Sequence, residues 1–438
     1  MSAAPLSRAA LVERILSRLS GHGARATVIQ GPRGSGKREI LTTVARRLDG
    51  AGIHPLEIDF ARCAVHPGEM ACAIAAACIE TALGPPQAGG GPTAPPEERL
   101  RSLASSPAID RLGAAVATAR EILIGLDAEG SPGAPLVAAA LRMPGELAAA
   151  AGGPVVVIAH SLDHASRLGH YPGLRAIDTM LSRSLRSGLV RLAASVSPEG
   201  RPSPLLEALR KALGEQLDLA DVPRLDRSEI GLLAGGPGSA EHGLLADVTA
   251  GRLLTAKILA GSLAEGSRLA DAIMVEMAPG DGRLFHEIRF DYHLLIERTR
   301  GHAACRAVLA VLAREEGLDL SGVATRLRRS PGSTLDYLKW LSEVGLVVRE
   351  GRRYRYRDPL MRLYVLLFEL PEGPGDRGDR SEVIHRFLGD FEKPPIPLRP
   401  LGRPRGSRSG PRRRGPERVA TVGVPTPRSR GDDLMEID

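Results

Sequence analysis

Two glycines and a lysine carry the plainest chemistry in this 438-residue chain. In "VIQGPRGSGKREIL", Gly31 and Gly36 frame a GxxxxGK turn that closes on Lys37. Such a turn wraps backbone N–H groups around phosphate oxygens, and the lysine reaches the terminal phosphates. The candidate phosphate-binding residues are Gly31, Pro32, Arg33, Gly34, Ser35, Gly36, Lys37 and Arg38. Arg38 stands where that chemistry asks for a hydroxyl, because Ser or Thr after the lysine ligates Mg²⁺ and a guanidinium has no lone pair to offer. Its charge, in the first helical turn, could instead lie near the β-phosphate and replace part of the metal's. ATP or ADP is the expected ligand, with no ordinary place for Mg²⁺.

A turn of this kind needs a strand before it and a helix after it. Ala26–Ile29 is a short apolar run, and residues 38–48 read as a helix. "HPLEIDF", residues 54–60, reads as a second strand, Gly68–Leu83 as an Ala-rich helix, and residues 84–98 as a Gly/Pro-rich loop. "EILIGL" (121–126), "PVVVIAHS" (154–161) and "LVRLAASVS" (189–197) are continuous apolar runs, as expected of strands buried on both faces of a parallel sheet. Alternation with helical stretches such as 176–187 implies an α/β fold with a doubly wound parallel sheet.

From about Asp226 the strand signal vanishes and Leu/Ala-periodic helices succeed one another, as a helical lid would show. Residues 302–359 read as three helices and two short basic strands joined at Glu350-Gly351, the pattern of a winged helix-turn-helix. Its third helix carries Leu335, Leu338, Leu341 and Val344 on one side, with Ser333, Thr334, Asp336, Tyr337 and Lys339 expected outward. Arg326, Arg328, Arg329, Arg352, Arg353, Arg355 and Arg357 would meet phosphates if DNA binds, since the guanidinium fork suits them. Beyond residue 371 Pro, Gly and Arg accumulate, which predicts a basic tail too poor in apolar residues to fold. The expected domains are 1–225, 226–300, 301–370 and the tail 371–438.

Composition narrows the classes. Hydrophobic residues make up 43% but aromatics only 3%, so the core must be Leu, Val, Ile and Ala, and an aromatic-stacking nucleic-acid binder is disfavoured. No apolar stretch has spanning length, which predicts a cytoplasmic protein without a membrane partner. Cys63, Cys72, Cys78 and Cys305 lack metal-site spacing and read as small buried residues. The net charge of +7 is concentrated toward the C-terminal end and only weakly favours a polyanion.

The arrangement resembles the prokaryotic AAA+/STAND-type P-loop ATPases of the archaeal type, over roughly Leu6–Leu370. "LSRAALVERIL" matches the helix ahead of the loop, and "PGELAAAAGGPVVVIAHSLDHAS" the approach to the Walker B strand. The resemblance implies Asp-Glu at the end of that strand, to position Mg²⁺ and polarise water; here Ala159 and His160 are aligned with them. His160 is the candidate base, against the commoner role of a structural hydrogen bond. Asp163, and Asp127 with Glu129 in "GLDAEG", read as loop residues. Ser195 matches the sensor-1 position as a γ-phosphate contact, Arg252 the sensor-2 position, and Arg357-Asp358-Pro359 the exit from the wing. These residues together imply a nucleotide-binding switch with weak or no hydrolysis. The alternatives are an active ATPase with a non-standard site and a DNA-binding regulator that uses the P-loop as scaffold. DNA, a protein partner and a second copy of the chain stand open as partners.

Overall fold

The apolar runs on either side of the glycine turn assemble into one parallel sheet. The computed structural model describes residues 7–20, 25–53, 55–84, 94–128, 133–185, 189–197, 204–236, 240–371, 373–374 and 377–392. β1 (Ala26–Gln30), β2 (Leu56–Asp59), β3 (Val155–His160), β4 (Val190–Val196) and β5 (Leu217–Asp221) lie in the order β2-β3-β4-β1-β5. Every pair is parallel, with Ile29 beside Ser195 and Asp59 beside His160.

Both faces are covered, which is why these strands read as unbroken apolar runs. On one face α1 (Arg8–Ser20) and α2 (Lys37–Gly50) bury Leu11, Ile15, Leu41 and Val44 against Ile29 and Ile158. The other face takes α3 (Phe60–Cys63), α4 (Pro67–Leu83), α5 (Pro96–Ala104), α6 (Ala114–Asp127), α7 (Gly133–Ala151), α8 (Ile177–Ser184) and α9 (Pro204–Leu213). This is the α/β doubly wound P-loop arrangement, with its glycine turn at the carboxyl end of a central strand.

The second half is built on another core. α10 (Arg227–Leu233), α11 (Ala240–Thr249), α12 (Leu253–Ala264), α13 (Leu269–Glu276) and α14 (Arg283–Ile296) lead into α15 (His302–Arg314), β6 (Leu318–Asp319), α16 (Leu320–Leu327) and α17 (Pro331–Glu343). β7 (Val347–Glu350) and β8 (Arg353–Tyr356) form a hairpin, with β6 on its far edge and Gly351 at φ 61° in its turn. α18 (Pro359–Tyr364) then packs back. Leu259, Ile273, Tyr292, Leu309, Leu338 and Leu363 belong to a single cluster, so the lid helices and the hairpin module share one interior. No helix among the described residues is long and apolar enough to cross a membrane.

Four expectations are corrected. "EILIGL" is the last turns of α6 and not a strand; a short apolar run does not distinguish a strand from a buried helix, and here the helix packs on α7. The folded chain does not stop at 370: α19 (Arg377–Glu392) buries Ile384, Phe387 and Leu388 at helical spacing against α11 and α13, and Arg362 holds its Asp390 at 3.1 Å. Those apolar residues are spaced three and four apart, a pattern the surrounding Gly, Pro and Arg obscure. The Gly/Pro loop ends before Pro96, where α5 begins, and residues 85–93 lie outside the described residues, as does the tail from 393. Thr334 is buried, with its hydroxyl on the Ser330 carbonyl. The four cysteines are buried and free, as expected.

Side-chain direction tests α6 directly. In a strand Ile122 and Ile124 would share a face; in α6 Ile122 is fully buried and Ile124 is 71% exposed. Ile122→Asn is expected to cost about 3 kcal/mol in urea unfolding and Ile124→Asn less than about 0.5 kcal/mol.

Candidate functional site

The glycine turn follows β1, whose last residue, Gln30, lies beside Val196 at the end of β4. Gly34 (φ 74°) and Gly36 (φ 89°) adopt the left-handed backbone that a side chain disfavours, and both are pressed by other elements. A Cβ on Gly36 would lie 2.6 Å from Leu253 and collide with Arg8, while the Leu254 N–H donates to the Gly34 carbonyl at 3.0 Å. Arg8, from α1, also donates to the Ser35 carbonyl. The loop is held from outside by the first turn of α12 and from below by α1.

Lys37 turns back on the loop. Its Nζ donates to the carbonyls of Gly31 at 2.6 Å and Pro32 at 2.9 Å. Burial pushes its ammonium down to about 8; Asp163 and Asp291 act to raise it, and Arg252 to lower it. Ser35 Oγ is buried and has no partner among the described residues. Arg38 is bound to Asp59 at the end of β2, so its guanidinium is committed away from the loop.

The end of β3 differs from the arrangement the resemblance implies. Ala159, aligned with the metal-positioning aspartate, packs into the core on the face opposite α2. His160 points to the α2 face, with Nε2 3.4 Å from Glu57 and a buried Nδ1 that has no partner among the described residues. Ser195 is buried, and its Oγ accepts the Ser161 N–H at 2.9 Å; Ser161 itself has φ 53°. That turn carries the chain to Asp163, which lies within electrostatic reach of Lys37. Burial pushes the Asp163 carboxyl up against the opposing pull of His164, backbone N–H groups and Lys37. Its Oδ1 is buried without a hydrogen-bond partner among the described residues. The sequence reading of Asp163 as a loop residue is corrected: it lies in the first turn of a 3₁₀ helix, Leu162–His170, entered through the left-handed Ser161. Asp127, the other carboxylate considered there, ends α6 on Arg101, and Glu129 lies outside the described residues.

Arg252 joins three elements. It donates to Asp291 of α14 at 2.6 Å, to Asp358 at the start of α18, and to the Arg33 carbonyl at 3.1 Å. Burial works against its charge, but Asp358 and Asp291 outweigh it and hold the guanidinium protonated well above its ordinary range. Arg33 pairs in turn with Glu287 and stacks 4.7 Å over Phe290, both on α14. Around this junction opens a cavity of about 410 Å³, bounded by Gly31 and Ser35 of the loop, Val222 and Pro223 after β5, and Leu346 and Arg357 of the hairpin module.

The basic residues of the hairpin module are largely spent within it. Arg326 pairs with Glu315, Arg355 lies 3.3 Å from Glu350, Arg353 donates to the Gly317 carbonyl, and Arg329 lies over Tyr337. Arg357 faces the cavity. Standard Mg²⁺ ligands do not assemble: Arg38 is turned away, Ala159 has no donor, and no group of three or more metal-ligating side chains occurs among the described residues.

No family model and no curated protein matches the chain. Among solved structures it is similar to the Walker-type ATPase PABY2304 of Pyrococcus abyssi, at 14% identity and TM-score 0.52, covering 83% of this chain and 99% of that one. Cdc6p from Pyrobaculum aerophilum also matches, at 12% identity and TM-score 0.35, over 90% of this chain and 98% of that one. The first likeness is one of fold, and it extends across both cores.

Arg252→Ala would leave Asp291 and Asp358 facing each other without their shared cation. It is expected to destabilise the chain by about 3–5 kcal/mol, while Arg355→Ala, on an exposed pair, costs less than about 1 kcal/mol. Urea denaturation of the two variants reads the difference.

Proposed function

We propose that the chain is a nucleotide-binding switch of the AAA+/STAND kind, in which ATP or ADP occupies the glycine loop and the adjoining cavity and sets the position of a winged helix. The observation that carries this reading is the junction at Arg252. One side chain ties the loop, the lid helix α14 and the start of α18 together beside a cavity of nucleotide size. Phosphates entering the loop would draw the Lys37 ammonium from the two carbonyls it now holds, while the loop's backbone N–H groups and the unpartnered Ser35 Oγ would take phosphate oxygens. A change in the loop reaches Arg33 and Arg252 directly, and through them Asp291 and Asp358.

Hydrolysis in this reading is weak or absent. Arg38, Ala159 and His160 replace the hydroxyl, the metal-positioning carboxylate and the base, and His160 is packed against Glu57 within the sheet. Ser195 supports the strand end by accepting the Ser161 N–H. The runner-up, an active ATPase with a non-standard site, would need a base that none of these positions supplies. A DNA-binding regulator has less support, because Arg326 and Arg355 are paired within their own module and Arg357 faces the cavity.

Lys37 gives the reading a pH signature. A bound phosphate needs the ammonium, whose free-state value is about 8, so affinity is full below that pH and falls by up to tenfold per unit as pH rises through it. The groups facing Lys37 are Asp163, Asp291 and Arg252. Calorimetric titration with ADP between pH 7 and 9.5 is expected to show this decline in the wild type. Lys37→Arg is expected to lack it, and Lys37→Ala to bind at least about tenfold more weakly at pH 7. Equal affinity of wild type and Lys37→Ala would exclude the loop as the phosphate site.

A further inference from the structure

We propose that Arg224 and Arg357 form a second phosphate subsite, which takes a phosphate carried on the ribose of the nucleotide whose 5′-phosphates lie in the glycine loop. The inference rests on the nucleotide reading above and names the class of nucleotide. Five arginines and three aspartates line the cavity. Three of the arginines are engaged: Arg8 donates to the Ser35 carbonyl, Arg33 pairs with Glu287, and Arg252 holds Asp291 and Asp358. Arg224 and Arg357 face the same space, and neither has a hydrogen-bond or ion-pair partner among the described residues. Two like charges share one cavity, and an anion between them relieves their repulsion.

The backbone brings the pair there from separate parts of the chain. Arg224 lies where the chain passes from one core to the other, between Val222 in the interior of α1 and α2 and Leu225 in that of the lid helices. Val222 Cβ is 3.3 Å from where a Cβ on Gly31 would stand, so this segment runs beside the loop. Arg357 leaves the hairpin with its N–H on the Leu346 carbonyl at 3.0 Å, and its Nη1 stands 3.1 Å from where a Cβ on Gly345, another lining residue, would lie. Burial lowers the Arg224 guanidinium from its ordinary range; Arg357 and Arg252 act in the same direction and Asp358 against them. Both planar forks suit phosphate oxygens. The remaining carboxylate, Asp221, ends β5 beside Gln30, next to the loop, where it suits a ribose hydroxyl. One cavity of about 410 Å³ runs from Gly31 and Ser35 to both arginines, so a single ligand can meet the loop and the pair together. The base of a nucleotide is uncharged, and with the 5′-phosphates in the loop the further anion must come from the ribose. Such a ligand would tie the hairpin module directly to the P-loop half.

The test is calorimetric affinity, at constant ionic strength, for ADP, ADP carrying a 2′-phosphate and ADP carrying a 3′-phosphate. The proteins are the full chain as wild type, Arg224→Gln, Arg357→Gln and, as a control in the exposed hairpin turn, Arg352→Gln, with thermal melts to verify folding. Wild type is expected to bind at least one of the ribose-phosphorylated nucleotides at least about tenfold more tightly than ADP. Arg224→Gln and Arg357→Gln are each expected to lose most of that gain, and Arg352→Gln to keep it. ADP binding with no gain from either ribose phosphate overturns this subsite and leaves the nucleotide reading intact. A gain that survives both cavity variants, or that Arg352→Gln loses equally, also overturns it. ADP affinity raised instead by millimolar inorganic phosphate assigns the arginines to a separate ion and overturns the ribose assignment. Absence of binding by all of these nucleotides and ATP overturns the nucleotide reading and this inference with it.

Discussion

A buried arginine shared by two aspartates organises the junction of the molecule. Arg252 precedes the first turn of α12, and its guanidinium meets Asp291 and Asp358, carboxylates 39 and 106 residues away in the chain. Burying three charges is expensive unless each is satisfied, and removing any one leaves its partners uncompensated. Here the cost is offset by a third contact, to the Arg33 carbonyl within the glycine loop. The loop's conformation and the placing of α14 and α18 are thereby conditions on each other. The shared apolar interior of the lid helices and hairpin module extends that coupling, since those elements cannot shift separately without opening a common core.

The phosphate side of the site obeys a different logic from the one its sequence motif suggests. A glycine turn of this kind is ordinarily completed by a hydroxyl and an acidic pair on the neighbouring strand. Arg38 instead braces the end of β2 through Asp59, His160 packs beside Glu57, and Ser195 supports a left-handed Ser161. These residues serve the shape of the strand ends.

Much of the scaffold is legible because its signals are local. A glycine turn between an apolar run and a helix, parallel strands buried on both faces, and basic alternating strands about a Glu-Gly turn all leave their period in the sequence. The misreadings share one cause. "EILIGL" shows apolar content without a decisive period, and only packing on α7 settles it as helix. α19 hides a regular apolar spacing inside a Gly- and Arg-rich region. Arg252 can be singled out from its place near a lid helix, but its two carboxylates cannot, because ion pairs across such separations leave no pattern. Asp163 reads as a loop residue, yet it lies in a 3₁₀ helix, Leu162–His170, that follows a left-handed Ser161.

The coupling at Arg252 is read most directly by hydrogen exchange. Amide exchange across the full chain, with and without saturating ADP, should slow together in the glycine loop, in α14 and in residues 347–364, since all three are held through one guanidinium. Protection confined to residues 31–37, with α14 and 347–364 exchanging as in the free protein, would contradict it.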